Sequence, residues 1–425
     1  MTKLNRLTAT EAARKLAARE ITAQAILADC VERIREREPI VHAWTFLDID
    51  RAMERARWLD TQPACGLLHG LPIAVKDLFD TFDMPTSYGS PIYAGHEPAS
   101  DAASVALARA AGAVVVGKTV TTEFATFHPG PTCNPHDARH TPGGSSSGSA
   151  AAVADAMVPL AFGTQTAGSI VRPAAYCGVV GYKPTFGTIS RVGVKMISDT
   201  LDTIGGFARS VPDVALFAAA ASGRDDLVIR RSTHEAPRIG ICRTYEWDRA
   251  LPETVGLFDD VDRRLRAAGA RVRDVPLPHE FAELAAAQIT IMVREVALSL
   301  SHERLAHREA LSAEMTTMID AGLAVSHAQY DAARSLARKS RAMLAQIFDG
   351  LDVLIAPSTT GEAPVGIDAT GDPLFNRMWT LMRVPCVHLP VARGPLGLPI
   401  GVSVVGPIGG DRGTLLAADW IHARF

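Results

Sequence analysis

From Gly143 to Ser169 the chain reads GGSSSGSAAAVADAMVPLAFGTQTAGS, a run built almost wholly of small side chains. It reads as a glycine–serine loop, a helix of small residues to about Met157, a strand over VPLAFG and a second small-residue loop ending at Ser169. Small residues let a backbone turn tightly and bring its N–H groups against a ligand. A serine that closes such a turn is either a nucleophile or a helix cap. The stretch alone leaves both open.

On either side, strands alternate with helices. Helical periodicity covers 10–37, with Thr8 or Thr10 as N-cap, and Thr45 to about Leu59 predicts more helix. LPIAVKDLF (71–79) predicts a strand whose end carries Lys76, SVALARAAGA (104–113) a helix, and VVVGKT (114–119) a short buried strand. RIGICR (238–243), a helix near 255–268 and ARVRDVPL (270–277) form a further strand–helix–strand unit. Two long helical stretches fill roughly 279–349, and DVLIAP (352–357), VHLPVA (387–392) and PIGVSVVG (399–406) are the last strands. Such alternation predicts an α/β fold, a central sheet covered by helices on both faces. No repeat or low-complexity linker interrupts 1–425, so one domain is the simpler organisation, with 279–349 as its variable, helix-rich part.

Composition narrows the classes. With 47% hydrophobic and 21% charged residues the chain is globular rather than disordered. Its formal net charge is −3 and no block of five or six like charges occurs, which predicts neither nucleic acid nor an anionic membrane surface as a partner. The start, MTKLNRLTATEAARK, lacks the apolar core of a signal peptide, and no run of about 18 uncharged apolar residues predicts a membrane span. Cys30, Cys65, Cys133, Cys177, Cys242 and Cys386 are scattered without a C-x-x-C pair, which fits reduced thiols in a cytoplasm better than disulfides or a zinc site. No metal or cofactor is expected.

Three pattern matches fail on context. GAVVVGKT (112–119) satisfies the P-loop pattern, but a helix precedes it and its AVVV is itself a strand. GSSSG (144–148) satisfies G-x-S-x-G around Ser146, yet a loop rather than a strand leads into it. HERLAH (302–307) has one residue too many between its histidines for a zincin helix.

What survives is Lys76 at an apolar strand end, the cluster Ser145-Ser146-Ser147, and Ser169 in its loop. A serine hydroxyl needs a base within hydrogen-bond reach, and no histidine sits in either loop core. A buried lysine can serve, because desolvation populates the neutral amine. Only seven of the 43 Lys+Arg are lysine, and arginine could not do this job.

These motifs resemble the amidase signature family of amide hydrolases. The likeness runs in family order through GLPIAVKDLFD (70–80), GKTVTTEFA (117–125), NPHDARHTPGGSSSGSAAAVA (134–154), GTQTAGSIVRPAAYCGVVGYKPTFG (163–187), SDTLDTIGGFARSVPD (198–213), DVLIAP (352–357) and LPIGVSVVG (398–406). It implies the amidase-signature fold with a central mixed sheet, and a Ser–Ser–Lys triad whose bridging serine follows a cis peptide bond. Carried over, Ser169 is the nucleophile, Ser145 the bridge and Lys76 the base. The backbone N–H groups of Thr166, Ala167, Gly168 and Ser169 are then the oxyanion hole. Ser146 is expected to help hold Lys76, Gln165 to shape its loop, Asp77 to be exposed or capping, and Asp202 and Arg209 to hold loops near the site.

The chain departs from the family pattern at Ser147 and Ala167, where glycines are usual. The family's arginine two residues after the nucleophile is here Val171, and Arg172 follows it. In this respect the chain looks most like short members acting on small polar amides, such as malonamidase. Arg172 is therefore expected to clamp a carboxylate or polar end of the substrate, against the alternative of a structural arginine satisfying backbone carbonyls. The expected activity is cleavage of a small carboxamide or ureido C–N bond through an acyl-enzyme. The alternative is an amidotransferase subunit that releases ammonia from glutamine for a tRNA-bound substrate. Small-molecule amides are the expected partners, with a homodimer suggested by apolar helical faces near the N-terminus.

Overall fold

The computed structural model describes residues 3–230 and 235–425. Its frame is an 11-stranded sheet in the order β1-β3-β2-β4-β6-β5-β10-β11-β9-β7-β8. The strands are β1 (Trp44–Leu47), β2 (Pro72–Lys76), β3 (Val114–Thr119), β4 (Leu160–Gln165), β5 (Val180–Lys183), β6 (Thr203–Ala208), β7 (Arg238–Ile241), β8 (Arg271–Asp274), β9 (Val353–Pro357), β10 (Cys386–Arg393) and β11 (Pro399–Val405). The sheet is mixed: β2 runs parallel to β3 and β4, and β7 parallel to β8 and β9, while β4–β6, β5–β6, β5–β10, β10–β11 and β9–β11 are antiparallel. Helices flank it, giving an α/β architecture with a central mixed sheet, as the motifs implied.

The N-terminal periodicity resolves into two helices, α1 (Ala9–Ala17) and α2 (Ala23–Val41), rather than one. Thr8 caps α1 by accepting from the Glu11 N–H at 3.1 Å, and Thr22 caps α2 by accepting from Ala25. Arg19 lies between them at φ +56°, which breaks the helical path. The helix expected from Thr45 begins only at α3 (Ile49–Thr61), because Trp44–Leu47 pairs antiparallel with β3 instead, Trp44 opposite Thr119 and Phe46 opposite Lys118. Aromatic and β-branched residues at a sheet edge favour that outcome.

Downstream, α4 (Ala103–Ala110), α5 (Ser147–Ala154), α6 (Val171–Cys177), α7 (Val211–Ser222) and α8 (Pro252–Ala267) intervene between strands. In place of two stretches over 279–349 there are four helices, α9 (Leu284–Ser299), α10 (Ser301–Ala306), α11 (Ala313–Ala324) and α12 (His327–Ile347). Ser312 and Ser326 supply the caps that divide the last two from what precedes them. Helices α13 (Leu374–Leu381) and α14 (Asp411–His422) complete the chain. The small residues of α5 are explained by packing: a Cβ at Gly148 would lie 2.1 Å from the Ala43 carbonyl oxygen and 2.6 Å from the Val120 nitrogen. Ala150 through Val153 are fully buried, so this short helix lies in the core, where β2 and β4 end.

Candidate active site

Lys76 is the last residue of β2 and is fully buried. Its Nζ lies 2.8 Å from Ser145 Oγ, 3.0 Å from Ser146 Oγ and 2.8 Å from Thr164 Oγ1. Ser145 and Ser146 come from the loop entering α5, and Thr164 from β4, the parallel neighbour of β2. The Gly144–Ser145 peptide is cis, as the resemblance implied. No carboxylate lies within ion-pair distance of Lys76 among the described residues; desolvation holds its pKa well below the usual lysine value, with Asp202 opposing at longer range. A neutral amine can donate two hydrogen bonds and accept one, which matches three hydroxyl neighbours. Ser146 is itself oriented, accepting from the Thr164 N–H and donating to the Thr164 carbonyl, both at 3.3 Å.

Ser169 sits at the end of the loop between β4 and α6 and is nearly buried. Its hydroxyl faces a small cavity lined by Thr126, Phe127, Ala167, Ile197 and Met292, among others. Ser145 Oγ is hydrogen-bonded to Lys76 and not directly to Ser169; catalytic contacts commonly tighten only in the reacting complex.

The loop is pinned from outside. Gln165 Oε1 accepts from the N–H groups of Ile170 (2.9 Å) and Val171 (3.0 Å), and its Nε2 donates to Thr380 Oγ1 at 2.9 Å. Thr380 in turn donates to the Ala167 carbonyl at 2.7 Å, and Gln288 Nε2 donates to the Thr166 carbonyl at 3.0 Å. Thr166 Oγ1 donates to Asp202, whose other oxygen accepts from the Ile197 and Ser198 N–H groups. Burial raises the Asp202 pKa to about 6 against those hydrogen bonds. With its carbonyls held outward, the loop keeps the N–H groups of Ala167, Gly168 and Ser169 without an acceptor among the described residues. Three unpaired N–H groups beside a buried serine are what an oxyanion would require. Glycine is needed at 168, since a Cβ there would meet Pro373 Cβ at 2.8 Å.

Arg172 lines the same cavity as Ser169, and its guanidinium makes the backbone-carbonyl contacts of the structural alternative. Its Nε and Nη2 donate to the Gly144 carbonyl at 3.2 and 2.7 Å, and Nη1 donates to the Gly371 carbonyl, so the guanidinium braces the turn before Ser145. Asp77 is buried rather than exposed, and pairs with Lys118 at 3.0 Å. Arg209 lies away from the site, donating to carbonyls of Asn5, Leu7 and Val158. Asp202 does hold the loop, and Ser146 and Gln165 act as expected. Thr164, Gln288, Thr380 and Arg377 were missed. Thr164 lay inside a quoted motif but carried no spacing signal; the other three come from α9 and α13, which no motif marked.

At the mouth, Phe127, Met292 and Met318 lead from the cavity into an open groove of about 520 Å³, also lined by Ile289, Val293, Ala321 and Arg377. Arg377 is nearly buried; one Nη donates to Gln288 Oε1 at 2.9 Å, and desolvation lowers its pKa.

A large mixed sheet flanked by helices, with a buried lysine among serines and a loop of unpaired N–H groups, defines an amide-hydrolysing α/β enzyme. The amidase family model matches residues 25–415, so the chain belongs to the amidase family and is an amidohydrolase acting on amide C–N bonds. Among curated relatives, a glutamyl-tRNA(Gln) amidotransferase subunit from Acidothermus cellulolyticus is 36% identical over 97% of this chain and 93% of its own length. The protein of the same name from Mycobacterium ulcerans is 33% identical over 100% and 99%. Among solved structures, an amidase superposes with a TM-score of 0.91 at 30% identity, covering 99% of this chain and 100% of its own. The peptide amidase of Stenotrophomonas maltophilia gives 0.83 at 30% identity, covering 99% and 97%.

Two expectations change with these findings. The narrower likeness to malonamidase-type members is not what these relatives display. The expectation of small-molecule partners without nucleic acid is also overturned, since the relatives are by name subunits of an enzyme acting on a tRNA. Net charge was a poor guide because a whole-chain sum does not report where charges cluster on the surface. Among the described residues no helix is long and apolar enough to cross a membrane.

Proposed function

We propose that Lys76, Ser145 and Ser169 form a proton relay for amide hydrolysis, and that the amide is the side chain of glutamine. Neutral Lys76 takes the Ser145 proton while Ser145 takes that of Ser169, and Ser169 Oγ bonds to the amide carbon. The resulting oxyanion is received by N–H groups of the Thr166–Ser169 loop, where loss of one donor costs roughly a hundredfold to a thousandfold in rate. The C–N bond then breaks as the relay returns a proton to the leaving nitrogen, releasing ammonia. Water attacks the acyl-enzyme through the same relay, giving the free acid and restoring Ser169.

The observation that carries the glutamine reading is the likeness, over nearly the whole chain, to relatives named as glutamyl-tRNA(Gln) amidotransferase subunits. Arg377 supports it, as a desolvated guanidinium at the mouth suited to a donor's carboxylate. On this reading the chain works with partner proteins that pass ammonia to a tRNA-borne acceptor. A second reading, hydrolysis of an amide with a larger apolar acyl part, is favoured by the apolar lining of the groove. The test is ammonia release from glutamine and from peptide amides and aryl amides, by the purified chain and by its Ser169→Ala variant. Glutamine turnover lost in the variant supports the first reading; turnover confined to apolar amides overturns it in favour of the second.

A further inference from the structure

Between α9, α12 and the end of α13 lies a pocket of about 150 Å³ lined by Thr200, Ile291, Ala337 and Leu381 and by four arginines, Arg334, Arg338, Arg341 and Arg383. We propose that it is a binding site for a phosphate-type oxyanion. Arg334, Arg338 and Arg341 stand at i, i+4 and i+7 of α12, one face of the helix. Arg383 comes from a different element, just beyond α13, at φ +63°.

Like charges at such spacings destabilise a helix unless something compensates them. Arg334 lies over the Tyr330 ring at 5.4 Å and Arg383 over the Phe186 ring at 4.3 Å, but no anionic group among the described residues pairs with the cluster. None of the four has a carboxylate within ion-pair distance, although nearby arginines do, as in Arg308–Asp320 at 2.8 Å. Burial and then the three neighbouring guanidinium groups push the Arg341 pKa down to about 10. Glu295, the acid that acts on Arg383, is committed elsewhere: it accepts from Ser198 Oγ, from the Thr200 N–H and hydroxyl, and from the Tyr330 hydroxyl. It faces Arg383 only at longer range.

The donors also have unused capacity. Arg341 Nη1 donates to the Leu381 carbonyl at 2.9 Å and Arg383 Nη2 to the Thr200 carbonyl at 3.3 Å, which fixes both head groups at the pocket wall. Arg383 Nε is buried with no acceptor. A buried N–H without a partner is costly, and an anion in the pocket would satisfy it. Guanidinium forks approaching from two elements suit a tetrahedral oxyanion with several acceptor oxygens better than a single carboxylate, which one fork already saturates.

Position gives the site consequence. Leu381 follows Thr380, the residue that holds the Ala167 carbonyl, and Thr200 is two residues from Asp202, which holds Thr166. An anion bridging α12, Arg383 and the Thr200 turn therefore ties together two supports of the catalytic loop. The phosphate could be inorganic phosphate or a small phosphate ester, or a phosphodiester of a nucleic acid. The chemistry recognised is the same.

The experiment is calorimetric titration of the full chain with inorganic phosphate at constant ionic strength in chloride. Saturable binding near one equivalent is expected, weakened tenfold or more in Arg334→Glu and in Arg338→Glu, both at the exposed rim. Arg338→Lys, which keeps charge and loses the fork, should fall between. A short single-stranded oligoribonucleotide is then added as competitor: displacement with the same sensitivity to the variants identifies a phosphodiester, and no displacement a small phosphate. Absence of phosphate binding, or binding equal in wild type and both glutamate variants, would overturn the proposal.

Discussion

Two neighbouring strand ends bury a lysine each, and they use it differently. Lys76 ends β2 and Lys118 lies one residue from the end of β3, with Lys76 in register with Thr119. Both are fully buried, and desolvation is the first cause lowering both pKa values. Lys118 meets Asp77 at 3.0 Å, which opposes the desolvation, and it also donates to the Phe79 carbonyl at 2.8 Å. Lys76 meets three hydroxyls and no carboxylate at that range. Burial alone thus does not favour a neutral amine as strongly as burial without a nearby counter-charge.

The largest expected effect tests that contrast directly. Lys76→Met should lower kcat by roughly a hundredfold to ten-thousandfold, the usual worth of a positioned base, with the fold retained by circular dichroism. Lys118→Met should do the reverse, destabilising by about 3–5 kcal/mol because Asp77 is left buried and unpaired. Adding Asp77→Asn to Lys118→Met should recover part of the melting temperature. If the two lysine variants behaved alike, the distinction between base and ion pair would be wrong.

Next in size is the pH profile. Protonated Lys76 cannot accept from Ser145, so kcat/KM should fall as pH drops through its lowered pKa and level off above it. Thr164→Asp places a carboxylate beside Nζ, favours the ammonium form, and should move that acid limb up by about one to three pH units. An unmoved limb in this variant would assign it to another group.

Thr380→Val removes the donor to the Ala167 carbonyl and the acceptor for Gln165 while keeping shape. A loosened oxyanion loop should cost roughly tenfold to a hundredfold in kcat with little change in KM. The smallest effect is expected for Arg172→Lys, which loses the fork on Gly144 and Gly371. Thermal melting should show a loss of about 1–3 kcal/mol, and KM should shift equally for acidic and neutral amides. A selective rise in KM for acidic amides would instead support the substrate clamp.

Legibility divides along a similar line. VVVGKT and DVLIAP coincide with β3 and β9 almost residue for residue, because short apolar runs bounded by turns leave few alternatives. Lys76, Ser145 and Ser146 were legible because their spacing lies within motifs that the structure folds onto one point. Trp44–Leu47 was not, since an edge strand depends on the partner that reaches it. Asp77 looked like a surface acid because nothing local announces that Lys118, on another strand, will bury it. Gln288 and Thr380 lie in helices whose periodicity reports a buried face but not what that face touches.

By itself the sequence determined the α/β alternation, the loop–helix–strand–loop order of the small-residue segment, and the identity of the groups able to act as nucleophile and base. These follow from side-chain volume, periodicity and acid–base chemistry, which are local properties. Only the tertiary structure decided that Lys76 would lack a carboxylate while Lys118 gained one. It alone turned the loop's carbonyls outward, spent Arg172 on Gly144 and Gly371, and gathered four arginines around one pocket. Each depends on which distant segments meet, and electrostatic and hydrogen-bond energies are set at those meetings.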